Sequence, residues 1–267
     1  MPSCSLYQVL ATARWHGAPA LMVDVKCRSP RDGELISSER LEPYVRSLVA
    51  GGVDALSTPT DPVYFDGSIS TARRIRALAD VPLMRKEFFT TVEQMDESAE
   101  AGFDAVQLAL SSFVDPVLFT AQKARAEQLG LEVVVSVTDS LQLERAVALG
   151  ANAISINCRG LAALRLESRS AGYGQVLASL VPRHVWVVLE STVSGRADID
   201  AAARAGADGV LMGTTVAKSA DPAGLLRSLR PSAAPLRAVL EPVPSAVALR
   251  PAPGPETPPG PPLPISA

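Results

Sequence analysis

Four short stretches of the sequence share one pattern: GGVDAL at 51–56, AGFDAV at 101–106, LGANAI at 149–154 and AGADGV at 205–210. In each stretch a glycine is followed two residues later by Asp or Asn, and an apolar run then begins. Glycine suits the left-handed backbone position that ends a helix, and Asp or Asn favours a turn. The pattern therefore predicts four joints, at each of which a helix ends and a strand begins.

The apolar runs after these joints, together with similar runs between them, predict eight strands. Helical patterns separate the strands, for example SLQLERAVALG at 140–150 and ADIDAAARAG at 197–206. Alternating strands and helices predict parallel strands with crossover helices, and eight strands favour a closed (β/α)8 TIM barrel of the α/β class over an open sheet. The strands are expected near 20–27, 54–59, 82–87, 105–110, 132–137, 153–158, 185–190 and 209–213.

The composition divides the chain into three parts. Twelve of the 22 prolines lie beyond residue 230, so 231–267 is predicted to be a disordered Pro/Ala-rich tail. The barrel is expected over 20–230, after a short N-terminal segment, 1–19. Within the tail, PPGPPLP at 258–264 is a candidate polyproline II ligand for a protein partner, although an unselective alanine-proline tail is the favoured explanation.

Charge and cysteine content narrow the functional classes. The 267 residues carry a net charge of -3 without a basic cluster, which argues against nucleic acid as a partner. The apolar runs are too short for a transmembrane span, so no membrane association is expected. Cys4, Cys27 and Cys158 are too scattered for a disulfide framework or a zinc site, which predicts free thiols, a cytoplasmic location and no metal.

Charged residues stand where several predicted strands end. In PLMRKEFF, at 82–89, an apolar run ends in Arg85, Lys86 and Glu87. In a βα barrel the carboxyl ends of the strands surround the active site, so Lys86 is expected to face a shared mouth, whereas Arg85 points toward the helices. The polar residues expected at the same mouth are Asp24, Lys26, Ser136, Asn157, Arg159, Glu190 and Ser191.

Two loops suggest an anion site. LESTVSG at 189–195 and LMGTTVAKSADP at 211–222 contain the loops after the seventh and eighth strands. In this fold these two loops commonly bind phosphate. Gly213 allows a close approach of the backbone, and Ser191 and Thr214 offer hydroxyl donors. The pattern favours a phosphorylated substrate, with simple capping of a helix by threonine as the alternative.

With these motifs in place, the chain resembles the indole-3-glycerol phosphate synthase family over about 20–230. The resemblance rests on VDVKCRSPRDGEL, TDPVYFDGSIS, VPLMRKEFF, EAGFDAVQLAL, ISINCRGL, VLEST and GVLMGTTV, in that order. It implies a lyase that closes an indole ring on a carboxyphenylamino-deoxyribulose phosphate, with loss of carbon dioxide and water and with no cofactor.

The resemblance also assigns roles to residues. Lys86 matches a general acid for the ring closure, and Lys26 matches a second lysine that assists proton transfer. The catalytic set is then Lys86, Lys26, Asp24 and Asn157. The substrate-binding set is Ser29, Phe65, Phe88, Ser136, Arg159 and Glu190. The phosphate-binding set is Ser191, Thr192, Gly213 and Thr214.

Three positions depart from the family pattern. Ser136 stands where the family has a strand-five glutamate that acts as acid and base, Asp24 replaces a glutamate, and Thr192 replaces a glycine. Serine cannot replace a carboxylate in proton transfer near neutral pH. We therefore expect a divergent or redirected lyase. The alternatives are a lysine-dependent aldolase or lyase of specialised metabolism, and a non-catalytic barrel that binds another protein.

Overall fold

Eight strands form the centre of the molecule. The computed structural model describes residues 4–112, 115–158, 171–191 and 193–230. The strands, numbered β1 to β8 in chain order, are Ala20–Asp24, Ala55–Pro59, Leu83–Lys86, Ala105–Ala109, Glu132–Val137, Ala153–Asn157, Trp186–Glu190 and Gly209–Met212. All are parallel, each pairs with the next, and β8 returns to β1 to close the barrel. The predicted TIM barrel is confirmed.

Helices surround this barrel and connect its strands. A short antiparallel hairpin of Arg28–Ser29 and Gly33–Glu34 lies in the loop after β1. The helices, α1 to α10 in chain order, are Leu6–His16, Leu41–Ala50, Ile69–Arg76, Glu93–Glu100, Pro116–Gln128, Ser140–Ala148, Ala171–Leu180, Arg196–Arg204, Thr214–Ala217 and Pro222–Leu229. None of these helices is long and apolar enough to cross a membrane. The predicted tail, 231–267, lies outside the described residues.

The four joints have the predicted backbone. Gly52, Gly102, Gly150 and Gly206 all have positive φ, between 70° and 88°. The aspartates have a further role, because each accepts a hydrogen bond from a backbone N–H of the preceding strand. These pairs are Asp54 with Leu21, Asp104 with Leu83 and Asp208 with Val187, at 2.8 to 2.9 Å. Each such joint therefore ends a helix and also holds the neighbouring strand in register.

The N-terminal segment contains a helix that the sequence reasoning did not predict. The side chain of Ser5 accepts a hydrogen bond from the backbone N–H of Gln8 at the start of α1, and Gly17 ends the helix with φ of 65°. Leu6, Leu10 and Ala13 of α1 are buried against inward-facing residues of the strands. These strand residues are Ala20, Met22, Ala55, Met84, Ala105, Val134, Ala153, Val188 and Leu211. Helix α1 thus closes the amino-terminal end of the barrel with an apolar plug.

Candidate active site

A cavity opens at the carboxyl end of the strands, opposite α1. Eleven of the fourteen predicted site residues line it: Asp24, Lys26, Ser29, Phe65, Lys86, Phe88, Asn157, Glu190, Ser191, Gly213 and Thr214. Ser136 lies buried on β5 between Ala109 and Ser155 of the neighbouring strands and is not among the lining residues. Arg159 and Thr192 lie outside the described residues, so their assignments stay predictions.

Two lysines and two carboxylates form the charged centre of the cavity. Lys86 Nζ lies 3.1 Å from Glu190 Oε2, and Lys26 Nζ lies 3.4 Å from Asp24 Oδ2. Glu190 is only 2% exposed, so its carboxyl group is solvated by protein groups rather than by water. The hydroxyl of Ser57 on β2 stabilises this cluster by donating a hydrogen bond to Asp24 Oδ1 at 2.6 Å.

The carboxylates keep Lys86 protonated. Burial alone would lower the pKa of Lys86, but the charges of Glu190 and Asp24 outweigh it and the pKa lies above the usual lysine value. For Asp24, burial would raise the pKa, yet Lys86, Lys26 and the Ser57 hydroxyl together lower it. At neutral pH the cavity therefore presents an ammonium group flanked by an ionised aspartate.

An aromatic wall stands beside these charges. The rings of Phe65 and Phe88 are stacked, with centroids 6.4 Å apart and an angle of 25° between their planes. Tyr64 meets Phe88 edge to face at 5.8 Å. Such a surface favours a flat, aromatic ligand, because aromatic rings pack in these same offset and edge-on geometries.

Arg85 and Glu87 take different positions on either side of Lys86. Arg85 points toward α4, as predicted, where it donates to Ser98 Oγ at 3.0 Å and lies 2.7 Å from Glu97 Oε2. Glu87, by contrast, lines the cavity. The three consecutive charges of PLMRKEFF thus serve two purposes, because Arg85 fastens a helix while Lys86 and Glu87 face the mouth.

The opposite wall has backbone features suited to an anion. Ser191 has φ of 73°, a left-handed conformation that is rare for a residue with a side chain and is often found at functional sites. Its hydroxyl donates to Asn157 Oδ1 at 3.2 Å. At Gly213 a Cβ atom would lie 3.0 Å from Lys26 Nζ, so glycine leaves the space that this ammonium group occupies.

Two polar residues near the site were missed by the sequence reasoning. Gln107 on β4 lines the cavity and donates from its side-chain amide to Glu190. Asp32, in the loop after β1, accepts from Lys218 Nζ at 2.9 Å and from Thr214 Oγ1 at 3.3 Å. Burial would raise the pKa of Asp32, but hydrogen bonds from Lys218 and Arg31 lower it to about 2. The sole sequence signal for Gln107 was an amide inside an apolar strand.

Comparison with known proteins agrees with this geometry. The family model described as indole-3-glycerol phosphate synthase matches residues 1–229. The chain belongs to the indole-3-glycerol phosphate synthase family. The enzyme of that name from Nocardioides sp. is 36% identical over 210 residues, which cover 79% of each chain. The one from Thermococcus kodakarensis is 31% identical over 217 residues, covering 79% of this chain and 91% of the relative.

Solved structures of other proteins share the fold. A 3-hexulose-6-phosphate synthase from Salmonella typhimurium superimposes with a TM-score of 0.64 at 16% identity, covering 79% of this chain and 96% of that one. An N-acetylmannosamine-6-phosphate 2-epimerase from Clostridium perfringens gives 0.60 at 16% identity, covering 73% and 86%. At these identities the likeness shows the barrel architecture alone.

Proposed function

We propose that this member of the indole-3-glycerol phosphate synthase family is a carbon–carbon lyase that closes an indole ring on a carboxyphenylamino-deoxyribulose phosphate. The observation that carries the proposal is the ammonium group of Lys86, held between Glu190 and Asp24 in a cavity with an aromatic wall. The wall suits the substrate's anilino ring, and the two lysines suit its anionic carboxylate and phosphate.

Ring closure needs a proton donor at the sugar carbonyl. The aromatic carbon that bears the carboxylate attacks the keto carbon, a new carbon–carbon bond forms, and the keto oxygen takes up a proton. Lys86 is suited to supply that proton because its carboxylate neighbours keep it charged at neutral pH. Lys26, on the other side of Asp24, is placed to neutralise the substrate carboxylate while the bond forms.

The later steps need both an acid and a base. Carbon dioxide leaves, and the electrons of its bond return to the ring and restore aromaticity. The new hydroxyl then departs as water after gaining a proton, while the neighbouring methylene carbon loses one. Ser136 cannot carry these transfers, so we assign them to the Lys86–Glu190 pair and expect a slower dehydration than a strand-five carboxylate would allow.

The raised pKa of Lys86 also bears on the aldolase alternative. An imine forms only from a neutral amine, and the carboxylates disfavour that form of Lys86. We therefore expect no covalent adduct after borohydride treatment of the protein with its substrate. A reduced adduct at Lys86 or Lys26, located by mass spectrometry, would favour the aldolase mechanism instead.

The phosphate is assigned to Ser191, Thr192, Gly213 and Thr214. Because Thr214 Oγ1 donates to Asp32, a bound phosphate would compete with that carboxylate for the same hydroxyl. We place the reaction in the cytoplasm, in keeping with the three free thiols of Cys4, Cys27 and Cys158. A protein partner for the tail stays a prediction.

The proposal is tested with the wild-type protein and two variants at position 136. Each is incubated with the family substrate, and indole-3-glycerol phosphate is measured by mass spectrometry. We expect slow product formation by the wild type and a gain of about tenfold or more in Ser136→Glu, because a positioned acid or base contributes ~10² to 10⁴ in rate. Ser136→Gln, similar in size but uncharged, should give no gain. No product from any of the three would contradict the proposal.

A further inference from the structure

Strand β4 places an amide inside the barrel at the level of the charged cluster. Its inward-facing residues are Ala105, Gln107 and Ala109, while Val106 and Leu108 pack in the outer core with the helices. Gln107 is 6% exposed, and a buried amide is costly unless it is hydrogen-bonded. Its Nε2 donates to Ser155 Oγ at 2.9 Å and to Glu190 Oε1. Both N–H groups are therefore directed at acceptors on β6 and β7.

The carboxylate of Glu190 is held at both oxygens. Oε2 lies against Lys86 Nζ, and Oε1 accepts from Gln107. In the described part of the chain these are the two partners of that carboxylate. Without the amide of Gln107, one oxygen of this buried carboxylate would lose its donor among the described residues, and the side chain would be freer to rotate. A lost donor also disfavours the charged form of a buried carboxylate.

We propose that Gln107 is a positioning residue that holds the carboxylate of Glu190 turned toward Lys86. The inference rests on the proposed function, in which Glu190 exchanges protons with Lys86 and the substrate. A carboxamide is suited to the task because its NH₂ group donates at every pH, so the hydrogen bond that orients Glu190 does not depend on titration of residue 107. Ser155 fixes the other N–H and so sets the direction of the amide.

Other charges share this environment and belong to the same titration. Lys86 on β3 is in direct contact with Glu190, and Asp24 acts on Lys86 from β1. Asn157 on β6 and Leu211 on β8, which flank Glu190 in the barrel, are uncharged. Besides Glu190, the charged residues that line the cavity in the described part of the chain are Asp24, Lys26, Arg31, Asp61, Lys86 and Glu87. None of them is altered by a substitution at 107, so a change in pH dependence can be assigned to the lost amide.

The first variant is Gln107→Leu, which keeps the size of the side chain and removes both donors. We expect kcat/KM to fall about tenfold or more near neutral pH, since a hydrogen bond to a charged group is lost. The acid limb of the kcat/KM profile should move to higher pH, because a buried carboxylate that loses a donor is less stable in its charged form. A profile unchanged in shape and position would overturn the proposal.

The second variant, Gln107→Glu, reverses the sign of the effect. A carboxylic acid at 107 can donate to Glu190 only while it is protonated, and two adjacent carboxylates resist joint ionisation. Activity should therefore be best at low pH and decline as pH rises, opposite to the trend in Gln107→Leu. Equal activity at all pH values in the two variants would mean that the amide only fills space.

Gln122→Leu is the matched control. Gln122 on α5 is also fully buried, and its Nε2 donates to Thr91 O at 2.9 Å outside the cavity. Its loss should alter thermal stability without moving the pH profile. A shift in this control like that of Gln107→Leu would assign the effect to general destabilisation and overturn the positioning role.

A measurement independent of turnover separates the two proposals. The carboxyl carbon of Glu190 is followed by ¹³C NMR over a pH series in wild type and Gln107→Leu, with Glu190→Gln to assign the signal. The titration midpoint should lie at higher pH in Gln107→Leu even if the wild type fails to convert the family substrate. In that case the proposed function fails and the positioning of Glu190 stands; identical midpoints would overturn the positioning role.

Discussion

The closed end and the open end of the barrel are lined by the same strands, through residues only two positions apart along each strand. Along each strand, alternate residues face the interior. An inward-facing residue i therefore lies near the end closed by α1, and residue i+2 lies at the open mouth. The pairs are Met22 and Asp24, Met84 and Lys86, Ala105 and Gln107, and Val188 and Glu190. A single strand therefore supplies apolar packing at one end and a charged or polar group at the other.

This difference separates stability from chemistry. At the closed end apolar side chains are fully buried against α1, and their contribution is the hydrophobic effect and close packing. At the open end ions are removed from water and held by mutual pairing and by hydrogen bonds from neutral side chains, which add little or nothing to net stability. Substitutions at the two ends should accordingly have opposite signatures, one in the free energy of unfolding and the other in turnover.

The largest effect is expected for Lys86→Ala at the open end. Removing the proposed proton donor should lower kcat/KM by ~10² to 10⁴, equivalent to about 3 to 5 kcal/mol of barrier, while circular dichroism shows the fold retained. Lys123→Ala, which breaks an exposed pair with Glu127 on α5, is the control and should leave kcat/KM within about twofold. Wild-type turnover in Lys86→Ala would remove this lysine from the chemistry.

Leu10→Ala tests the closed end. Leu10 is fully buried in the plug, so the free energy of unfolding in urea should fall by about 2 to 5 kcal/mol with kcat/KM unchanged wherever the protein stays folded. Leu141→Ala, at a leucine that is 74% exposed on α6, should change stability by about 0.5 kcal/mol or less. A large loss of kcat/KM in folded Leu10→Ala would show that the two ends are coupled.

Asp24→Asn is expected to have the smallest of these effects. It tests how strongly the charges at the open end act on one another. Asp24 helps to raise the pKa of Lys86, so its neutralisation should lower that pKa. Activity that depends on protonated Lys86 would then be lost at lower pH than in the wild type, which moves the alkaline limb of kcat/KM to lower pH. The control is Glu42→Gln, on the exposed face of α2, which should leave the alkaline limb in place. An unchanged alkaline limb in Asp24→Asn would show that Asp24 and Lys86 do not interact.

Local patterns predicted most of this architecture. The glycine and aspartate of each joint act within a few residues of the chain, which is why the strand positions and the orientation of Arg85 could be derived. Helix α1 also had local signals in Ser5 and Gly17, and it was missed because those signals lay outside the repeated unit.

The remaining features depend on contacts between distant parts of the chain. Gln107 meets Glu190 across 83 positions, and Asp32 meets Lys218 across 186, so no spacing rule brings them together. The inward direction of Ser136 followed from the alternation of β5, but its pairing with Ala109 and Ser155 is set by the neighbouring strands. Pairing at a barrel mouth is a property of the closed sheet and not of any one segment.

Release of carbon dioxide measures the proposed chemistry most directly. Purified wild-type protein is given substrate labelled with ¹³C at its carboxyl carbon, and the labelled gas and the indole product are both quantified. We expect one equivalent of ¹³CO₂ for each indole formed, at a rate at least about a hundredfold above that of Lys86→Ala. Labelled substrate recovered intact, or gas released equally by both proteins, would contradict the assignment of ring closure to this mouth.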